Sequence, residues 1–159
     1  MRHTILGLIG DHYRRPKGTH RSWQGCDLDL TGVTIDSDMN FHGAEFSGGT
    51  VSFLGATFSG STVSFGGAEF SGSTASFSRT EFSGSTVYFD SATFSDGTVS
   101  FSGAGFSGST ASFSGATFSG STVSFDGATG AVPQGLLAAV GTPPPARVTL
   151  PTAWLLSAP

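Results

Sequence analysis

The segment "FSGSTVSFGGAEF" (residues 58–70) contains the pattern that decides the fold of this 159-residue chain. Its three phenylalanines are spaced seven and then five residues apart, and mostly glycine, serine and threonine lie between them. The same spacing continues from Phe41 to Phe125, so phenylalanine recurs in two series that each have a period of 12 residues. A fixed self-similarity of this kind indicates a solenoid.

Each phenylalanine belongs to a short strand that ends in a tight corner. A smaller residue stands two positions earlier, as Val63 does before Phe65 and Ala68 before Phe70. Side chains two residues apart lie on the same face of a strand, so this pair points inward and the intervening residue, mostly serine or threonine, points outward. A glycine follows most phenylalanines after one residue, at the third position of a four-residue turn. A type II turn requires a positive φ there.

The length of one coil follows from the alternation of five-residue and seven-residue faces. The two additional residues of the long face are expected to lengthen its strand to residues 61–65. Two short and two long faces close a rectangle around stacked phenylalanine rings, so that one coil is two periods of the phenylalanine pattern. A two-faced coil of a single period is the alternative. Because neighbouring coils lie about 4.8 Å apart, the rod is ~20 Å long for the four-sided coil or ~40 Å long for the two-faced coil.

Composition divides the chain into three parts: an N-terminal helical cap and lead-in (1–25), a solenoid (26–129) and a proline-rich C-terminal tail (130–159). The first part has a net charge of +4, whereas the second carries ten acids and one arginine. Apolar residues at helical spacing between Ile5 and Tyr13 predict a short amphipathic helix. Such a helix would cap the open end of the solenoid, or it is the remnant of an upstream domain. Six of the seven prolines lie at or after Pro133. The tail is therefore expected to be extended and flexible, unless Trp154 pins it to the body.

The units "AEFSG" (68–72), "ATFSG" (56–60) and "VSFGG" (63–67) resemble the pentapeptide repeat. The resemblance covers about residues 26–129 and implies an all-β fold, a right-handed parallel β-helix with four sides, here with a short N-terminal helix. The chain departs from that pattern by the insertion of two residues in every second unit. Its flanks, "SWQGCDLDLTGVTID" (22–36) and "GTPPPARVTLPTAW" (141–154), are similar to those of a bacterial subgroup whose members often carry a membrane-anchored part upstream.

The sequence favours a protein that is not an enzyme and needs no cofactor. It contains no nucleotide-binding loop, and a filled solenoid offers no cleft for paired carboxylates. Cys26 is expected to be a structural residue that faces inward, and the spacing of the four histidines matches no zinc site. A single cysteine and the absence of a long apolar segment favour the cytoplasm, or a membrane-associated location if an upstream anchor exists.

Three functions remain open, and all three are binding functions. The first is a structural or protein-interaction module whose partner is unknown. The second, which the family resemblance implies, is mimicry of DNA by a protein that binds DNA gyrase or another topoisomerase. Direct binding of nucleic acid is disfavoured because the body is acidic. The third is an ice-binding or surface-binding face of threonine and serine. A homodimer through one end of the solenoid is a further possibility. The candidate partner-binding residues are Glu45, Glu69, Glu81, Asp90 and Asp126, and a continuous acidic stripe would favour DNA mimicry.

Overall fold

The computed structural model describes residues 2–15, 20, 22–141 and 143–156, with side chains from residue 8 onward. The helices are α1 (Arg2–Arg14), α2 (Leu136–Val140) and α3 (Thr152–Leu156). The strands are β1 (Leu28–Asp29), β2 (Thr34–Ile35), β3 (Met39–Asn40), β4 (Glu45–Ser47), β5 (Thr50–Ser52), β6 (Thr57–Ser59), β7 (Thr62–Ser64), β8 (Glu69–Ser71), β9 (Thr74–Ser76), β10 (Glu81–Ser83), β11 (Thr86–Tyr88), β12 (Thr93–Ser95), β13 (Thr98–Ser100), β14 (Gly105–Phe106), β15 (Thr110–Ser112), β16 (Thr117–Ser119), β17 (Thr122–Ser124), β18 (Thr129–Gly130) and β19 (Val148–Thr149).

The strands form four parallel sheets, one for each side of the solenoid. Sheet A contains β1, β5, β9, β13, β17 and β19; sheet B contains β2, β6, β10, β14 and β18; sheet C contains β3, β7, β11 and β15; and sheet D contains β4, β8, β12 and β16. Val51 pairs with Ala75 in neighbouring strands of sheet A, so one coil spans two periods of the phenylalanine pattern. This register confirms the four-sided coil and excludes the two-faced coil. The first coil is one residue shorter, because Leu28 pairs with Val51.

Four columns of stacked phenylalanine rings fill the interior. Within each column the ring centroids of neighbouring coils lie 4.7 to 5.2 Å apart, as in the pairs Phe101–Phe125 and Phe58–Phe82. The two central columns also contact each other edge to face, for example where Phe65 meets Phe77 at 5.5 Å and an angle of 89°. Aromatic pairs in both geometries are favourable, and these columns leave the solenoid with a dense apolar core. The columns are Phe53, Phe77, Phe101 and Phe125; Phe41, Phe65, Phe89 and Phe113; Phe46, Phe70, Phe94 and Phe118; and Phe58, Phe82 and Phe106.

The corners after sheets A and C are the predicted turns. At one of them the amide of Ala56 donates to the carbonyl of Phe53 at 2.9 Å, and Gly55 has a φ of 64°. The predicted lengthening of the next strand is wrong. Regular pairing covers only Thr62–Ser64, because the chain changes direction between sheets B and C. Ser61 occupies that corner, where it is buried and donates its hydroxyl to the carbonyl of Ile35 at 3.4 Å.

Helix α1 covers the first strands of sheets C and D. The Arg14 guanidinium donates to the carbonyl oxygens of Asn40 and His42 at 2.9 and 3.4 Å. These carbonyls lie on the edge of the first coil, where no preceding coil supplies a partner. The Tyr13 ring packs on Phe46 with a centroid distance of 4.8 Å, and its hydroxyl donates to the carbonyl of Cys26 at 3.1 Å. The helix thus satisfies part of the exposed strand edge.

Two aspartates complete the same edge with their side chains. In the third coil the amide of Thr74 donates to the carbonyl of Gly49 at 3.1 Å. The amide of Thr50, one coil earlier, donates instead to a carboxylate oxygen of Asp27 at 2.8 Å. Asp38 accepts from the first amide of β7 in the same way, also at 2.8 Å. Carboxylates therefore replace the backbone carbonyls that a preceding coil would provide.

The C-terminal segment covers the other end of the solenoid, in contrast with the flexible tail expected from its prolines. Strand β19 pairs with β17 and extends sheet A. Trp154 is buried, packs on Phe106 and Phe125 at 6.0 and 5.6 Å, and donates its indole N–H to the carbonyl of Gly130 at 3.0 Å. Gly130 lies in register with Phe106, so the column has no ring at that position. The indole of Trp154 covers the column instead.

Candidate interaction surface

The common register of successive coils aligns the outward side chains into columns along the solenoid. Sheet A carries one column of threonine and one of serine without interruption. These are Thr50, Thr74, Thr98 and Thr122, and Ser52, Ser76, Ser100 and Ser124. The serine hydroxyls bond along the A–B edge, as in Ser78 with Ser100 at 2.7 Å and Ser102 with Ser124 at 3.0 Å. These serines therefore stabilise the stacking of coils, and the ice-binding hypothesis stays a prediction.

The five candidate acids are distributed around the solenoid. Glu45 and Glu69 are register neighbours in sheet D. Glu81 lies in sheet B, where its carboxylate folds over Gly105 of the next coil. Asp90 follows sheet C, and Asp126 follows sheet A. The acids of the described solenoid form no continuous stripe, so the arrangement gives no support to DNA mimicry, which stays a prediction.

Three acids of the first coil have roles within the fold. Asp27 and Asp38 accept the edge amides described above. Asp29 accepts the amide of Thr31 at 2.9 Å. The hydrogen bonds from the side chain and backbone of Thr31 lower the pKa of Asp29, because they stabilise the ionised carboxylate. These three side chains are thus accounted for without a ligand.

Cys26 does not face inward, so that prediction is wrong. Its side chain is exposed, and its backbone carbonyl accepts the hydroxyl of Tyr13. Within the described residues, histidine, cysteine and carboxylate side chains form no group of three or more that could hold a metal ion. The described helices include none that is long and apolar enough to cross a membrane.

A shallow depression of about 380 Å³ lies on the first two coils of sheet C. Its lining residues are Asp38, Met39, Asn40, His42, Thr62 and Ser64. Two of its polar groups already have partners, since Asp38 accepts from the amide of Thr62 at 2.8 Å and Asn40 from the amide of His42 at 2.9 Å. The depression is therefore part of the capped edge of the solenoid rather than a distinct ligand site.

The third coil (residues 73–96), in the middle of the rod, departs from the repeat pattern in the residues that it carries outside the core. It contains Arg79, Glu81, Tyr88, Asp90 and Asp96, whereas the fourth coil (97–120) contains no charged residue and no tyrosine. Unusual backbone conformations are concentrated in the same coil. The described residues other than glycine that have a positive φ are Arg79, Ser91 and Asp96, at 55°, 57° and 59°. Outliers of this kind cluster at functional sites.

Tyr88 ends strand β11 in sheet C of the third coil, and Asp90 lies two residues later in the corner that follows. Tyr88 is 38% exposed, and its register neighbours are Ser64 and Ser112. Ser112 donates its hydroxyl to the Asp90 carboxylate, and the amide of Ser114 donates to the same carboxylate at 3.1 Å. The repeat pattern alone did not single out Tyr88 as a candidate residue. A comparison of successive coils at the same outward position would have identified it.

Among proteins of known structure, three similar chains are pentapeptide-repeat or drug-resistance proteins. They are a pentapeptide-repeat protein from the thylakoid lumen of Arabidopsis thaliana (22% identity, TM-score 0.26), HetL, a pentapeptide-repeat protein involved in heterocyst differentiation regulation in the cyanobacterium Nostoc (18%, 0.26), and QnrB1, a plasmid-mediated fluoroquinolone resistance protein (18%, 0.18). The matches cover 60%, 70% and 64% of this chain. They span 66%, 57% and 69% of the respective neighbours, so the first two are covered over less than two thirds of their length.

The strand register and the phenylalanine core together identify the fold. The fold is that of a pentapeptide-repeat solenoid. It has four parallel sheets, an inward phenylalanine at the centre of the units from Phe41 to Phe125, and a positive φ at the turns that follow sheets A and C. No family model and no curated protein matches the chain, so this assignment rests on the strand register and core described above.

Proposed function

We propose that this chain is a non-enzymatic protein-interaction module that binds its partner through the third coil. The observation that carries the proposal is the contrast between the third and fourth coils. Both have the same Phe-filled interior, but only the third places charged residues and a tyrosine on its surface. Tyrosine and arginine are enriched in protein interfaces. A packed interior leaves the outer surface as the part available for recognition.

The repeat supplies its own test of this proposal. The four substitutions Arg79→Gly, Glu81→Thr, Tyr88→Ser and Asp90→Gly give the third coil the residues that the second coil has at the same positions. The control combines Glu45→Thr with Glu69→Thr and leaves the third coil unchanged. Wild-type and variant proteins are immobilised, and the proteins that each retains from a lysate are compared by quantitative mass spectrometry.

We expect the wild-type and control proteins to retain a set of proteins that the four-residue variant does not retain. Circular dichroism checks that all three have the same fold. If the variant retains the same set as wild type, the third coil is not the binding surface and the proposal is wrong.

DNA mimicry is the alternative, and it is tested by inhibition of gyrase supercoiling. Without a continuous acidic stripe we expect no inhibition. Inhibition that disappears when Glu45, Glu69 and Glu81 are changed to lysine would support DNA mimicry in place of the present proposal.

We also propose a cytoplasmic location, which a single cysteine supports. End-to-end pairing of two copies stays a proposal, which light scattering of the purified chain would test.

A further inference from the structure

We propose that Tyr88 and Asp90 together form a recognition site for an arginine side chain of a basic protein partner. This inference rests on the proposed function and specifies the chemistry of the partner. Both residues neighbour Ser112 of the next coil, which lies in register with Tyr88 and donates its hydroxyl to Asp90. The site therefore combines an aromatic ring with a carboxylate on one exposed face.

The ring of Tyr88 is accessible because its surroundings are small. Ser64 and Ser112 lie on either side of it along the column, and neither side chain is long enough to cover a phenol ring. Tyr88 is thus a large, partly exposed side chain between two small ones. A guanidinium group stacks favourably on such a ring through its charge and its planar shape.

The Asp90 carboxylate is held in place and keeps one oxygen for a ligand. Among the described residues, both hydrogen bonds to this group go to Oδ1, from the hydroxyl of Ser112 and the amide of Ser114. An approaching N–H donor can therefore use Oδ2. Because the neighbours Gly66 and Ser114 in the same corner column are uncharged, Asp90 has no competing charge beside it in that column.

Charge favours a basic partner. The solenoid of residues 26–129 has a net charge of −9, which attracts cations and steers a basic surface toward it. Arginine suits the site better than lysine, because only the planar guanidinium can stack on the ring while it donates to the carboxylate. The partner is therefore a protein segment that presents arginine.

The test uses a fluorescein-labelled peptide with three arginines separated by glycine and serine, and the same peptide with three lysines. Fluorescence anisotropy measures the binding of both to the full chain. We expect wild type to bind the arginine peptide more tightly than the lysine peptide by about three- to tenfold, as an exposed cation–π contact allows. Tyr88→Ser should abolish this preference, and Tyr88→Phe should retain it.

The matched charge control is Asp126→Ser, since Asp126 occupies the equivalent turn position after sheet A. We expect Asp90→Ser to weaken binding of the arginine peptide and Asp126→Ser to leave it unchanged. Equal weakening by both variants, or equal binding of the two peptides to wild type, would overturn the proposal. If the third coil captures proteins but shows no preference for arginine, the interaction module stands and this site does not. If wild type prefers the arginine peptide but the third coil captures no proteins from the lysate, the arginine site stands and the proposed interaction module does not.

Discussion

At the scale of single residues, the corner of Ser91 is held in a conformation that other coils give to glycine. Ser91 has a φ of 57°, and the equivalent Gly67 and Gly115 have φ values of 63° and 70°. A left-handed conformation costs a residue with a Cβ about 1 to 2 kcal/mol. We expect Ser91→Gly to raise the free energy of unfolding by roughly 0.5–1 kcal/mol, because the greater freedom of the unfolded chain offsets part of the gain. Denaturant unfolding measures this difference.

The control is Gly103→Ser, which makes the opposite exchange at the corresponding turn position after sheet A in the fourth coil. The φ of Gly103 is 68°, and a Cβ at this position would have only the Arg79 side chain nearby, at 3.6 Å. We therefore expect Gly103→Ser to lower the free energy of unfolding by about 1 kcal/mol, through its effect on the backbone alone. Effects of the same sign in both variants would show that backbone strain does not control these corners.

Tyr13 makes stability depend on alkaline pH. Burial, followed by the charges of Cys26 and Asp27, raises its pKa to about 12, whereas an unfolded tyrosine ionises near pH ~10. The folded state thus favours the neutral phenol. The stability that this shift contributes is fully present below pH ~10 and is lost as the pH rises through the folded pKa. We expect the melting temperature to fall between pH ~10 and ~12.

Tyr13→Phe tests this assignment, because the variant keeps the ring on Phe46 and removes the ionisable hydroxyl. It should have a flatter stability curve in the same pH window. Tyr88→Phe serves as the control, since Tyr88 is exposed. An unchanged alkaline transition in the Tyr13 variant would assign the effect to other groups.

At the scale of elements, one glycine allows helix α1 to approach the first coil. A Cβ on Gly10 would overlap the carbonyl oxygen of Asn40 in β3. Alanine is favoured over glycine within a helix by about 1 kcal/mol, but the steric overlap must displace the helix. We therefore expect Gly10→Ala to lower stability and to separate α1 from the solenoid. Fluorescence of Trp23, which stacks on His12 of α1 at 4.1 Å, would report the separation.

Leu8→Ala is the comparison for the helix variant, because Leu8 lies on α1 but is 48% exposed. It should leave Trp23 fluorescence and stability nearly unchanged. A Gly10→Ala protein with wild-type fluorescence and higher stability would show that helix propensity outweighs the close contact.

At the scale of the whole molecule, Trp154 closes the C-terminal end of the core. Loss of a large buried aromatic side chain costs about 3–5 kcal/mol. In a solenoid this loss acts locally, because each coil contacts only its neighbours. We expect Trp154→Ala to release the pairing of β19 with β17 while the first coils keep their protection. Hydrogen exchange measured by mass spectrometry would show rapid exchange at residues 147–150.

Leu156→Ala provides the control for the C-terminal cap, since Leu156 is 80% exposed on the same helix as Trp154. Its exchange pattern should equal that of wild type. Uniform loss of protection along the whole chain in the Trp154 variant would indicate that the solenoid unfolds as one cooperative unit.

Across the molecule, the sequence predicted the parts that depend on local repetition. The spacing of Phe58, Val63 and Phe65 was sufficient to infer which side chains face inward, because each unit repeats the same local geometry. It favoured the four-sided coil but left the two-faced coil open, and the strand register decided between them. The ends depend on contacts between distant residues. The packing of Trp154 on Phe106 could have been suspected only because Gly130 lies one full coil after Phe106, and Trp154 follows after the same interval.

The candidate site was less accessible to prediction than the fold. Glu81 was identified as outward, but its position over Gly105 depends on side-chain length in one coil and absence of a side chain in the next. The pairing of Tyr88 with Asp90 depends on Ser112 in the following coil. Such relations join residues that lie about one coil apart in the sequence, and local propensity contains no information about them.

The common register of the phenylalanine columns has a consequence for the gene. Because Val51, Ala75 and Val99 occupy the same position in successive coils, removing or duplicating one coil leaves every remaining contact between neighbours intact. A deletion of a few residues shifts all later side chains out of their columns. Recombination between repeats therefore changes the length of the rod in whole coils and leaves both ends unaltered, so length is the property that can vary most readily in descent.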